Sequence, residues 1–289
     1  MVTRGFTQRI TRDSLPYRLY AATTDIALPP AVQRQILIRG RRIFRSRAVF
    51  LACFMKSGST LLSEAFDALP RWRQLASVNL DARTAQVPGR DLIARDWASA
   101  RSHALYKNHV PHSPAVHEII QSFQMTPVLL VRDLSDVCRS LSDHFDREST
   151  DGPFLALEPD QLAHLDRQNQ RADFIADLAL PWFVHVYASW IRFQNAGHPL
   201  LVLDYTDLAN DLKGSMESIL DLIGLHTPAS AIENAIASIT LDPSRTRLNI
   251  GTAGRGTAYL EQNPAVASTI RRLIGYYPDV DFGPITRTL

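Results

Sequence analysis

Residues Ala48 to Met55 read AVFLACFM, an almost unbroken apolar run, and Lys56-Ser57-Gly58-Ser59-Thr60 follows at once. A run that is apolar on both alternating faces fits a strand covered on both sides, as in a parallel sheet. Leu61 to Leu69 then reads as a helix. A buried strand that stops at a short Lys/Gly/hydroxyl turn and restarts as a helix is suited to hold a polyanion. Backbone N–H groups and the helix N-terminus point at the anion, hydroxyls donate, and lysine adds a full charge. The same composition also suits a purely structural turn, and the pentapeptide alone does not separate the two.

The chain has 289 residues, enough for one large or two small domains. No repeat or linker divides it, so residues 48–289 are expected to form one domain. Residues 1–47, with ten arginines, no lysine and Pro29-Pro30, read as a partly ordered, Arg-rich N-terminal lead-in. Net charge is +2, which gives no strong field to attract nucleic acid or an anionic membrane. The apolar runs are strand-sized, short of the roughly 18 residues of a membrane helix, so no integral membrane segment is expected. The N-terminus MVTRGFTQRITRDSL lacks a signal-type apolar core. Cys53 and Cys138 both fall in apolar or helical patterns. They make no disulfide framework, and a reducing cytoplasm is the expected compartment.

Only three lysines occur, Lys56, Lys107 and Lys213, against 31 basic residues in all. In so arginine-rich a chain, a retained lysine marks a place for a compact ammonium rather than a planar guanidinium. Two of the three fall in the motifs described next.

Further along, Ala104-Leu105-Tyr106 reads as a short strand ended by Lys107-Asn108-His109-Val110-Pro111. Ser113 is placed to cap a helix running to about Phe123. Pro127 to Val131 is a second buried strand, followed by Arg132-Asp133 and a helix from about Leu134 to His144. Pro181 reads as the start of a helix that stops at Gly197. Leu200 to Asp204 is a third buried strand, followed by helices over about Leu208–Ile223 and Ala229–Ile239. A glycine-rich loop, Asn249 to Gly256, precedes a last helix over Pro264–Tyr276. The alternation predicts an α/β fold, a single domain with a central parallel sheet flanked by helices. Ligands then sit outside the C-terminal strand ends. The segments after Met55, Tyr106, Val131 and Asp204 should therefore gather on one edge.

The turn at 56–60 is not the Walker pattern, because no glycine precedes Lys56 at the needed spacing. Arg132 sits at a strand tip, and Ser140 lies eight residues on, roughly two turns into the helix. A guanidinium fork and a hydroxyl on one edge suit a terminal phosphate. Alternatively, Arg132 simply pairs with Asp133 or Asp136. Lys107 and His109 are two apart, so in extended chain they point the same way, and Pro111 keeps the segment out of helix. A histidine titrating near neutrality suits general-base work, and among the histidines His109 stands out by this setting.

In chain order these motifs are K-S-G-S-T, K-x-H-x-P and R-x-x-x-D-x-x-x-S, each after a strand. The arrangement resembles the sulfotransferases that use 3′-phosphoadenosine 5′-phosphosulfate (PAPS), over most of residues 48–256. The resemblance implies a P-loop NTPase-like fold. It also implies transfer of a sulfuryl group to a hydroxyl of a small-molecule, lipid or sugar acceptor, leaving adenosine 3′,5′-bisphosphate and requiring no metal. It places Lys56, Ser57, Gly58, Ser59 and Thr60 at the 5′-phosphosulfate, Lys56 at the bridging oxygen. Arg132 and Ser140 hold the 3′-phosphate, His109 is the base, and Lys107 helps at the transferring group. Ser140 is also implied to hold Lys56 away until substrate arrives. Tyr205, in the segment LDYTDL, lies near the adenine.

The chain departs from the family pattern in places. Met55 replaces the usual proline, and Leu61 stands where an aromatic ring often stacks on adenine. The late glycine loop keeps only its spacing, at Gly251 and Gly254. The flanking Arg255, and after it Arg247, are expected to close on the 3′-phosphate.

A P-loop-like kinase using ATP and magnesium is the first alternative. The missing Walker glycine argues against it, as does Arg132 standing between the strand and Asp133. A non-catalytic nucleotide-binding relative is the second, and the joint presence of Lys56, Lys107 and His109 argues against that. Phe145, Phe154, Leu155, Leu157, Phe174, Trp182 and Phe183 form a candidate apolar wall for the acceptor, with ordinary core packing the competing reading.

Overall fold

The computed structural model describes residues 29–75, 89–147, 159–241 and 254–289. Among the described residues, five parallel strands form one sheet in the order β2-β3-β1-β4-β5. They are β1 Ala48–Cys53, β2 Trp72–Leu75, β3 His103–Asn108, β4 Thr126–Val131 and β5 Leu201–Asp204. The helices in chain order are α1 Pro30–Phe44, α2 Ser59–Asp67, α3 Arg90–Arg95, α4 Pro114–Ser122, α5 Leu134–Arg147, α6 Pro159–Arg167 and α7 Arg171–Asn195. Then come α8 Tyr205–Asn210, α9 Leu212–Leu222, α10 Ala229–Thr240, α11 Gly256–Gln262 and α12 Pro264–Ile274. The expected single sheet flanked by helices is what the chain forms.

Strand alternation sorts β1 between two cores. Phe50, Ala52 and Phe54 join one apolar cluster with α1, α4, α5 and α7. Val49, Leu51 and Cys53 join the other with α2, α9 and α10. Every residue of β1 is buried, which is why the sequence shows an unbroken apolar run rather than alternation. The connection after β1 therefore passes over one face, while those after β3 and β4 pass over the other. Such a reversal opens a crevice at the C-terminal end of β1, the point from which Lys56 to Thr60 emerge.

Several boundaries differ from expectation. β3 runs through Lys107 to Asn108, because pairing with β1 continues to Ala52↔Asn108. The segment before β1 is helical over α1, with Leu37 and Arg41 buried. Pro181 lies inside α7 rather than at a helix start. An interior proline costs about 3 kcal/mol. The side chains of Leu180, Phe183 and Val184 are fully or almost fully buried, and burying a Leu, Phe or Val side chain contributes roughly 1.5–3 kcal/mol. The helix expected over Leu208–Ile223 is broken at Asp211, whose Oδ1 accepts from Gly214 N at 2.8 Å and caps a fresh helix. α7 is long and apolar enough to cross a membrane by length and composition, and 61% of its apolar window is buried inside the protein.

Candidate active site

The turn after β1 is shaped by two left-handed residues, Lys56 (φ 66°) and Gly58 (φ 83°). A Cβ on Gly58 would meet the Tyr205 ring at 2.9 Å and Leu208 at 3.1 Å, so only glycine fits without displacement. Ser57 is buried and its Oγ donates to Phe54 O at 2.7 Å, closing the turn from inside. Gly58 caps α2 without any side-chain hydrogen bond. The first-turn amides of α2 are thus left without a capping side chain, an arrangement receptive to an anion. Ser59 is buried at the helix start and Thr60 is half-buried beside it.

β3 delivers the next groups to the same edge. Lys107 Nζ donates to Thr60 Oγ1 at 3.4 Å. His109 follows one residue beyond the strand, half-buried. Its Nδ1 lies 2.9 Å from Cys53 O and 3.3 Å from Cys53 Sγ. Burial acts to lower the His109 pKa, but the Cys53 sulfur and the bond to the Cys53 carbonyl turn the shift upward. Burial likewise acts to raise the Cys53 pKa, and His109, with help from Lys107, turns it downward. The segment carrying His109 is tied to α7: Trp190 Nε1 donates to Val110 O at 2.9 Å, and His112 N donates to Ser189 Oγ at 2.9 Å.

β4 delivers Arg132, buried at the strand tip. Its NH1 donates to Lys56 O at 3.0 Å, and its Cζ lies 3.9 Å from the centroid of the Tyr205 ring. Its Nε lies 3.7 Å from Asp136 Oδ2. Asp136 also accepts from Gly254 N at 2.9 Å and Gly256 N at 2.6 Å, so this one carboxylate fastens the returning chain to α5. A Cβ on Gly256 would fall 1.7 Å from Ser135 Oγ, so the chain passes too close for any side chain.

The sequence-derived residues are thus brought together at the ends of β1, β3 and β4, with three qualifications. Tyr205 is almost fully buried between Gly58 and Arg132, so it supports the guanidinium. Arg255 NH1 pairs with Asp143 Oδ2 at 2.6 Å, and Arg247 and Gly251 lie outside the described residues. Lys56 Nζ stands 3.4 Å from His144 Nδ1, and His144 is one turn beyond the half-buried Ser140 on α5. Lys213, the third lysine, pairs with Glu233 at 2.6 Å on the surface. Of the candidate wall, Phe145 and Phe183 are buried, and Phe183 packs on Phe54 with centroids 5.1 Å apart. For those two, core packing holds.

Sequence reasoning missed Cys53 and His144 as site residues. Cys53 reads as one more apolar letter of β1, and His144 betrays itself only by standing one helical turn after Ser140. Asp136 was legible as a partner of Arg132, but its grip on Gly254 and Gly256 joins residues more than a hundred positions apart.

The sulfotransferase domain family matches residues 46–248. The chain belongs to that family. Solved sulfotransferases share its fold. Mouse sulfotransferase SULT7A1, crystallised with PAP, superposes with a TM-score of 0.57 at 17% identity, over 82% of this chain and 86% of its own. Sulfotransferase STF9 from Mycobacterium avium superposes with a TM-score of 0.50 at 12% identity, over 92% of this chain and 86% of its own. No curated protein sequence gives a significant match. As a sulfotransferase, the chain is an enzyme that moves a sulfuryl group.

Proposed function

We propose that this sulfotransferase transfers the sulfuryl group of PAPS to a hydroxyl of a small-molecule, lipid or sugar acceptor, in a reducing cytoplasm. The observation that carries the reading is the convergence of Lys56, Lys107 and His109 with Arg132 around one uncapped helix start. The residues present fit a doubly phosphorylated nucleotide. The turn at 56–59 and the first amides of α2 suit its 5′ end, and Arg132 and Ser140 suit its 3′-phosphate. The buried unpaired thiols Cys53 and Cys138 support the compartment.

PAPS supplies an activated sulfur–oxygen bond; the protein supplies position, charge and a base. Lys56 stands where negative charge grows on the leaving oxygen, and a preorganised cation lowers the barrier there. Lys107, held at Thr60 Oγ1, directs a second ammonium at the transferring group. His109 keeps a proton on Nδ1, which leaves Nε2 to take the acceptor's proton as its oxygen bonds to sulfur. Arg132 and Ser140 read the 3′-phosphate and so separate this donor from ATP, and Arg255 joins them on release from Asp143.

The test is incubation with PAPS and a panel of alcohols, phenols, sugars and hydroxylated lipids, read by mass for gain of one sulfuryl group. In parallel, adenosine 3′,5′-bisphosphate should raise the melting temperature as RT ln(1 + [L]/Kd) predicts, and ATP with magnesium much less. Equal stabilisation by both, with no sulfated product, overturns the reading.

A further inference from the structure

One residue holds the Nδ1 edge of His109 twice. Cys53, the last residue of β1, is fully buried. Its carbonyl oxygen accepts from His109 Nδ1 at 2.9 Å, and its Sγ lies 3.3 Å from the same nitrogen. The thiol in turn points at Asn108 O, 3.4 Å away, on the residue just before His109. A carbonyl accepts only, so its partner nitrogen carries the proton and Nε2 of a neutral ring is left with its lone pair. The sulfur, polarisable and a weak acceptor, sits against the same edge. β1 and β3 pair through Ala52↔Asn108, so this contact is built on the rigid centre of the sheet and not on a loop.

Resting on His109 as the base, we propose that Cys53 is a positioning residue. Its carbonyl fixes which ring nitrogen keeps its proton, and its sulfur sets how readily the other accepts one. In the reaction the acceptor's oxygen bonds to the sulfuryl sulfur as the sulfur–oxygen bond to the nucleotide breaks and adenosine 3′,5′-bisphosphate leaves; the acceptor's O–H bond breaks, its proton passes to Nε2, and the ring becomes an imidazolium. The carbonyl and sulfur on the far edge stabilise that cation, after which the proton leaves to water. Lys107 on β3 opposes them, as a cation facing the same ring. Burial also disfavours the charged ring, so the Cys53 contacts decide the balance. Taking the sulfur away makes the base weaker and also neutral at lower pH.

The experiment uses the full chain with Cys53→Ala and Cys53→Ser, and His109→Gln to assign the ring. Imidazole nitrogen NMR against pH reads the tautomer and titration midpoint of His109 with no donor present. The wild type should show the proton on Nδ1. Cys53→Ala should titrate at lower pH, with Cys53→Ser between them. The acid limb of the sulfuryl-transfer profile should move in the same sense. The plateau kcat should fall by about 3–10-fold as the base weakens, with KM for PAPS nearly unchanged. A wild-type ring protonated on Nε2, or one midpoint shared by all three proteins, overturns the role of Cys53. If the midpoints separate while no sulfuryl transfer is found, the functional reading fails and the Cys53 contact stands. The wild-type tautomer tests the carbonyl's part whether or not a variant folds, and either Cys53 variant that folds tests the sulfur's.

Discussion

The guanidinium carbon of Arg132 lies 3.9 Å from the centre of the Tyr205 ring, while its NH1 donates to the Lys56 carbonyl. A cation held over an aromatic face and against a backbone oxygen loses little further freedom when an anion arrives. The preorganisation links two sequence-distant turns, those after β1 and β4, through one side chain.

Arg132→Ala should therefore weaken adenosine 3′,5′-bisphosphate selectively. A hydrogen bond to a charged group is worth about 1.5–3 kcal/mol, equivalent to roughly 10–100-fold in affinity. Adenosine 5′-phosphosulfate, which lacks the 3′-phosphate, should bind almost as before. Calorimetric titration of both nucleotides checks this, and equal losses would remove Arg132 from the 3′ site.

His109→Ala should lower kcat by about 10²–10⁴-fold, the usual contribution of a general base. Binding of adenosine 3′,5′-bisphosphate, followed by thermal shift, should survive. Near-normal turnover in the variant would mean another group takes the proton.

Gly58→Ala should destabilise the fold. Its φ of 83° disfavours any side chain, and the new methyl group meets Tyr205 at 2.9 Å. Left-handed strain costs about 1–3 kcal/mol. The melting temperature should fall by about 2–4 °C for each kcal/mol, and Arg132, displaced through Tyr205, should bind nucleotide less tightly. An unchanged melting curve contradicts the close approach.

His103 carries a pH dependence. Burial, then Arg71 and Arg47, push its pKa down to about 4, and its Nδ1 accepts from Arg47 N at 3.0 Å. Between about pH 6.5, its unfolded value, and about 4, the unfolded chain binds the extra proton. This contribution is therefore complete above that window and lost as pH falls through it. Asp96, raised to about 7 chiefly by burial, acts in the opposite sense over the same range. Urea unfolding of the wild type and His103→Gln at pH 7 and pH 5 isolates the histidine. The wild type should lose more stability than the variant on acidification, and parallel losses would exclude His103.

Much of this molecule is legible in its letters. The strands β1 and β4 announce themselves because burial on both faces leaves runs such as AVFLAC and PVLLV, and β5 reads as a strand though Leu201 and Val202 are only half-buried. Ser113 caps α4 as its position suggests, accepting from Val116 N. β2 is not legible: Trp72-Arg73-Gln74-Leu75 is a short edge strand with one buried side chain, and local pattern carries little of the information that pairs it with β3. Pro181 misleads because tertiary burial of α7 outweighs a local rule. At the site, lysines, glycines and the histidine are visible as types at set spacings after strands. Cys53 is not, because its role depends on a contact across two strands that no spacing within one segment encodes.

Asp136 serves both Arg132 and the amides of Gly254 and Gly256. With Arg132 in its proposed role at the 3′-phosphate, recognition of the donor's tail and the return of the chain beside it share a single negative charge. A change to either one disturbs the other, which leaves little room for drift at this knot.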